Sequence, residues 1–276
     1  MIVGSAVTTR VPDWTGWSVK ENRVMLRNLA DLRNYRIHAI DGEIGAVQDV
    51  WFVDRHWTIR YFVVGPASWT GGDKVLISPT AVGRADWVSR QLRVMLARDQ
   101  VKDAPGVDAN LPLSRREEEQ LVGYYAWLAY WATPASGAAA AESAQKPPEA
   151  AAAVESSRDA TGHHEPLLRS VREVTGYRIH VHDGSIGHVE GFIGDNGDWV
   201  IRYLVADTRG WLPDKRVLLS PTWIKEVDWA RAQIRMDFAR KQIEHAPPYD
   251  PATPINRDYE GRLHHYYGRP AYWTTT

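Results

Sequence analysis

From Trp199 to Ala206 the chain alternates strictly. Trp199, Ile201, Tyr203 and Val205 fall on one face, and Val200, Arg202, Leu204 and Ala206 on the other. Both faces are largely apolar, which predicts a central strand buried on two sides. "WTIRYFVV" at 57–64 has the same pattern. Shorter β-rich runs surround these two. "YRIH" at 35–38 and "YRIHVHD" at 177–183 each lead into Asp-Gly, a strong hairpin signal. "KVLISP" and "RVLLSP" read as strands stopped by Pro79 and Pro221. "ADWVSRQLRVML" and "VDWARAQIRMDF" each read as a further hairpin. Short strands with turn signals at this spacing predict an all-β barrel or sandwich.

The pattern then changes. "RKQIEHAPP" predicts one or two helical turns ended by proline. Ser114 with Glu117 three residues later is a capping box, and Asn256 takes the same place in the second half of the chain. Short helices are therefore expected from Arg115 and from Arg257. Aromatic runs follow, "YYAWLAYW" (Tyr124, Tyr125, Tyr130, Trp131) and "YYGRPAYW" (Tyr266, Tyr267, Tyr272, Trp273).

All these features occur twice. Shifted by 142 positions, the chain matches itself without a gap from Leu26/Leu168 to Trp131/Trp273, with about 41 identities over about 106 residues. A gapless match of that length implies one backbone used twice. Residues 132–166 are dominated by Ala, Glu, Ser and Pro, and hold too little apolar surface to offset ordering entropy. The expected organisation is an N-terminal extension at 1–23, repeat one at 24–131, a linker at 132–166 and repeat two at 167–276.

Composition narrows the function classes. Net charge is −1 over 276 residues, which argues against the basic stripe of a nucleic-acid binder. The absence of cysteine excludes disulfides, thiolate chemistry and Cys-ligated metals. There is no run of 18 apolar residues and no signal-peptide pattern, so a cytoplasmic protein without a transmembrane segment is expected. Thirteen tryptophans suit small domains that need large buried area per residue.

The order "DGxIG", "WxIRYxV", "VLxSP", "xDW" resembles the PRC-barrel domain, a family named for the cytoplasmic domain of the photosynthetic reaction-centre H subunit. Repeat two, "DGSIGHVEGFIGDNGDWVIRYLVADTRGWLPDKRVLLSPTWIKEVDW", is the closer likeness. Repeat one departs at "VGPASWTGGD", and has Ala81 where repeat two has Trp223. The resemblance implies two tandem barrels of about six strands each, no cofactor, no shared catalytic residues and a role in protein contact. The H subunit has a membrane helix before its barrel, and no such helix is read here.

Several residues carry specific expectations. Asn34 and Gly176 occupy equivalent positions and are the residue types that tolerate positive φ, so a left-handed turn is expected there. Gly42, Gly45, Gly184 and Gly187 are assigned to the following turn or a bulge. No helix start and no Lys-Ser/Thr follows them, so a phosphate loop is rejected. Arg60 and Arg202, inside strands, are read as paired with Asp86 and Asp228, with an anion site as the alternative.

His180 and His182 share one strand face and His188 follows the turn, so the three imidazoles are a candidate metal set, weighed against histidines that are merely packed or solvated. Ser78 and Ser220 lack the context of a nucleophile elbow, carboxylates scatter at turns, and no enzyme is expected. Trp223, Tyr266, Tyr267, Arg269, Tyr272 and Trp273 are candidate partner anchors, against the alternative that the closing aromatics cover their own barrel.

Two functions fit: a non-catalytic interaction or assembly module whose repeats pair about a pseudo-twofold axis, or a ligand or metal sensor acting through repeat two. Association with photosynthetic electron-transfer or ribosomal and RNA assemblies rests on family analogy alone.

Overall fold

The computed structural model describes residues 25–66, 74–106, 113–127, 129, 167–212 and 215–274. The expected extension at 1–23, the linker at 132–166, and Tyr130 and Trp131 lie outside these residues. In the first half the strands are β1 (Leu26–Asn28), β2 (Arg36–Ala39), β3 (Gly42–Val53), β4 (Thr58–Pro66), β5 (Val75–Ile77), β6 (Val82–Asp86) and β7 (Gln91–Val94), followed by helices α1 (Arg98–Lys102) and α2 (Arg115–Tyr125). The second half runs β8 (Leu168–Ser170), α3 (Val171–Val174), β9 (Arg178–Val181), β10 (Gly184–Asp195), β11 (Ile201–Asp207), β12 (Arg216–Leu219), β13 (Ile224–Asp228), β14 (Gln233–Met236), α4 (Arg240–His245) and α5 (Arg257–Tyr267). The protein is mainly β, with no helix among the described residues long and apolar enough to cross a membrane.

Two seven-stranded sheets result. One has the order β5-β4-β3-β2-β7-β6, the other β12-β11-β10-β9-β14-β13. Neither closes into a barrel, contrary to the expectation of two closed barrels. The open edges are β5 with β6, and β12 with β13. Each edge pair is joined by a single 3-10 turn, Pro79–Ala81 or Pro221–Trp223, capped by Ser78 or Ser220. Proline has no N–H to donate, and the turn sends the chain round a corner instead of into a ladder.

The seventh strand of each sheet comes from the other half of the chain. β1 pairs antiparallel with β10 in the register Leu26↔Asp195, Arg27↔Gly194, Asn28↔Ile193. β8 pairs with β3 in the register Leu168↔Val53, Arg169↔Phe52, Ser170↔Trp51. Adding 142 to one residue of each pair, and subtracting it from the other, converts the first register into the second. The flanking bonds obey the same rule. Met25 N–H donates to Asn196 Oδ1 at 2.6 Å, and Leu167 N–H donates to Asp54 Oδ1 at 3.1 Å. Asn196 N–H returns to the Met25 carbonyl at 3.2 Å, and Asp54 N–H to the Leu167 carbonyl at 3.0 Å.

The exchange has an apolar basis. Leu29 and Leu32 are buried just after β1, and a Cβ on Gly194 of the other half would stand 2.7 Å from Leu29 Cδ2. Glycine there lets the 3-10 turn at Leu29–Leu32 sit against β10. Phe52 contacts Phe192 with ring centroids 6.1 Å apart, and Phe62 meets Trp199 edge-on at 5.1 Å. One continuous hydrophobic core includes buried residues of both halves; a smaller cluster of Trp51, Tyr61, Val63, Leu76 and Leu121 lies beneath α2.

The turn glycines do what their positions require. Gly45 and Gly187 sit where the ladders of β3 with β2 and of β10 with β9 shift register, with φ of 158° and 131°. A Cβ at Gly45 would lie 2.1 Å from the Gly65 carbonyl oxygen, and at Gly187 1.9 Å from that of Asp207. Asn34 and Gly176 have φ of 69° and 94°, the left-handed turn expected of them. Asp41 and Asp183, beside Gly42 and Gly184, accept the first helical N–H groups of α1 and α4, from Arg98 and Arg240, both at 2.8 Å.

Candidate functional site

The strongest concentration of buried polar chemistry lies where α5 packs on β11. Asn256 caps α5 by accepting the Tyr259 N–H at 2.9 Å, which fixes the helix start and turns Glu260 and His264, one helical turn apart, toward the sheet. Tyr203 is fully buried on β11, Glu260 is 2% exposed and His264 4%. The Tyr203 hydroxyl lies 2.9 Å from Glu260 Oε1 and 3.0 Å from His264 Nε2. His264 Nδ1–H donates to the Pro270 carbonyl at 2.9 Å. Tyr272 donates to Glu260 Oε1 at 2.9 Å, and Arg257 Nη1 lies 3.0 Å from Oε2.

Burial sets the electrostatics of this cluster. It pushes the Glu260 carboxyl up from its ordinary range, against the hydrogen bonds of Tyr272 and Tyr203 and the charge of Arg257. It pushes the His264 imidazolium down. The Tyr272 hydroxyl is raised to about 12, by burial first and then by the Glu260 charge. Both members of the Glu260–His264 pair are thus driven toward their neutral forms. Tyr203 stands between them: with Nδ1–H given to Pro270, a neutral His264 presents Nε2 as an acceptor, so a protonated Glu260 donates to the Tyr203 hydroxyl and that hydroxyl donates to Nε2.

The other half of the chain has a reduced version. Tyr61 donates to Glu118 at 3.1 Å, and Arg115 lies 3.4 Å from Glu118. Val122 replaces His264 there. Glu118 and Glu260 escaped the sequence reading because a glutamate in the first turn of a helix looks solvated. The available signal was the identity of Tyr61/Tyr203, Arg115/Arg257 and Glu118/Glu260 in both repeats.

The three candidate metal ligands do not converge. His182 Nε2 pairs with Asp237 at 2.9 Å, and His188 Nε2 lies 3.7 Å from Asp207 Oδ2. His180 Nε2 is buried without a hydrogen-bond partner. No group of three His, Asp or Glu among the described residues is placed to hold a metal ion. The register shift between Ser185 and Gly187 carries His188 to the Arg178 end of β9, away from His182.

The arginine expectation is corrected too. Arg202 reaches Asp198, and Asp195 at 3.6 Å, rather than Asp228. Asp228 caps its own turn and pairs with Arg231 at 3.0 Å. Asp86 likewise accepts the N–H groups of Val88 and Ser89, each at 3.0 Å, while Arg60 is half-buried on β4. Asp residues three positions before a turn end are drawn to nearby backbone donors first.

Among the candidate anchors, Trp223 and Tyr267 are interior. Trp223 packs on Tyr267 with centroids 4.9 Å apart, and on Phe238 at 5.9 Å. Tyr272 and Trp273 are half-buried against His264. Tyr266 is exposed, with its hydroxyl donating to the Gln242 carbonyl at 2.7 Å. Arg269 reaches Asp237 at 3.4 Å and forms a surface patch with His182.

At the equivalent surface of repeat one, Ile40 and Met95 stand where His182 and Asp237 do. Ile40 is 50% and Met95 61% exposed. Comparison of the chain with family models and with curated proteins found no match.

Proposed function

We propose that the protein is a non-catalytic interaction module of PRC-barrel type, its two repeats locked as a pseudo-twofold pair, and that it binds a protein partner through faces on which the repeats have diverged. The reciprocal first-strand exchange, with registers related by the same 142-residue shift, is the observation that carries the pairing. An isologous contact places each residue opposite the partner of its own counterpart, as in a homodimer.

Divergence supports the partner reading. At the seam Leu26/Leu168, Arg27/Arg169, Trp57/Trp199 and Ile59/Ile201 are identical while Phe52/Gly194 and Val50/Phe192 differ; on the outer surface Ile40 and Met95 align with His182 and Asp237, which Arg269 joins. Exposed Ile and Met side by side form an apolar contact point, and the ionic counterpart does not.

The test is to capture partners from the native cell with the tagged chain and with I40H/M95D, which writes repeat two's residues into repeat one. The reading expects a protein retained by the wild type and lost by the variant. Equal retention of every partner would sink it. A second reading, a ligand sensor, draws support from the cleft described next.

A further inference from the structure

We propose that the seam between the repeats carries a binding site for a small ligand with a phosphate or carboxylate group. The site is a cleft of about 230 Å³. The turn after β3 contributes Arg55 and His56 from one repeat; Arg202, Ser220, Thr222 and Tyr272 come from the other. Clefts at the junction of two folded units are favoured places for small-molecule sites.

The charge is one-sided. Arg55 and His56 are exposed and have no carboxylate partner among the described residues. Arg202 is held by Asp198 and Asp195, neither of which lines the cleft. Its guanidinium lies 4.1 Å over the Tyr272 ring, and the Tyr272 hydroxyl is anchored on buried Glu260. Arg202 is therefore a fixed planar cation, Arg55 supplies the uncompensated charge, and His56 adds a ring nitrogen at the cleft. Planar, forked guanidinium groups suit two-point recognition of an oxyanion.

Hydroxyl donors complete the site. Ser220 Oγ and Thr222 Oγ1 lie 2.9 Å apart, and Ser220 Oγ accepts the Thr222 N–H. One hydroxyl donates to the other, which leaves the second free to donate into the cleft.

The repeat provides its own control. Gly197 and Asp198 stand where Arg55 and His56 do, so the pseudo-twofold counterpart lacks the arginine and carries a carboxyl group instead of the imidazole. The two turns share a backbone: Trp57 and Trp199 have φ of 56° and 57°, and donate to the Val53 and Asp195 carbonyls at 2.8 and 2.9 Å. R55G/H56D thus places residues in a turn geometry that already accepts them.

Isothermal titration of the full chain with phenyl phosphate, benzoate and inorganic phosphate tests the site, with phenol as the uncharged control. The expected result is saturable binding of phenyl phosphate or benzoate, weakened at least tenfold in R55G/H56D with an unchanged urea midpoint, and no binding of phenol. The better of the two aryl anions identifies the charged group. No saturable binding of any anion by the wild type, or equal affinity in the variant, would overturn the proposal.

Discussion

Trp57 and Trp199 hold the same left-handed backbone conformation, and each turns its carbonyl to the strand that follows the other. The Trp57 carbonyl accepts the Ile201 N–H at 2.8 Å, and the Trp199 carbonyl accepts the Ile59 N–H at 2.7 Å. A tryptophan in this region costs on the order of 1–2 kcal/mol relative to its preferred conformations. Two such residues at one seam mean that packing and cross-repeat bonding outweigh the strain. Phe52 supplies part of that packing, stacked on Trp57 at 4.9 Å with an 18° interplanar angle.

Trp57→Gly therefore removes strain but loses more. Trp57 is buried, and truncating a buried tryptophan costs roughly 3–5 kcal/mol. With strain relief subtracted, the expected net loss is about 1–4 kcal/mol. Trp199 is only half-buried, so Trp199→Gly is expected to cost less. Urea unfolding of the two variants measures the difference; a neutral or stabilising Trp57→Gly would show that the seam is not packed as described.

Glycine substitutions separate bulge from helix. Gly45→Ala and Gly187→Ala each drive a Cβ into a backbone carbonyl oxygen at about 2 Å, and neither carbonyl is a flexible side-chain end. Each is expected to lower stability by more than about 2 kcal/mol. Gly261→Ala lies in α5 with nothing within 4 Å of its Cβ, and is expected to raise stability by up to about 1 kcal/mol. Thermal melts of the three variants check the ordering.

The buried cluster gives a pH dependence with opposed signs. His264 has a lowered folded pKa, so its contribution is present above the ordinary histidine value and lost as pH falls through the lowered one. Glu260 has a raised folded pKa, so its contribution is full below the ordinary glutamate value and lost as pH rises through the raised one. His264→Val, which copies Val122, is expected to flatten the acid-side loss below about pH 6.5. Glu260→Gln is expected to flatten the loss that sets in above about pH 4.3. Denaturant midpoints from pH 4 to 8 test both; curves parallel to the wild type would contradict the assigned shifts.

Much of each sheet was legible because its strands carry their own signals. β4 and β11 follow from alternation, β5 and β12 from Pro79 and Pro221, and α2 and α5 from Ser114 and Asn256. The exchange was not legible. β1 and β8 are three residues each, "LRN" and "LRS", too short for a periodic pattern, and their pairing partners lie far along the chain. The open edges were hidden for a similar reason, since a Ser-Pro corner marks a strand end but not whether the ladder resumes. The histidine set failed because sharing a strand face does not bring side chains to one point once a register shift intervenes.

The central claim is that the two repeats are held together by their exchanged strands and shared core rather than by covalent connection. A site for a specific protease, inserted within residues 132–166, tests it directly. After complete cleavage, the two fragments are expected to remain a 1:1 complex by native mass spectrometry and size-exclusion chromatography, separating only in denaturant. Fragments that part under native conditions as two folded monomers would contradict the account.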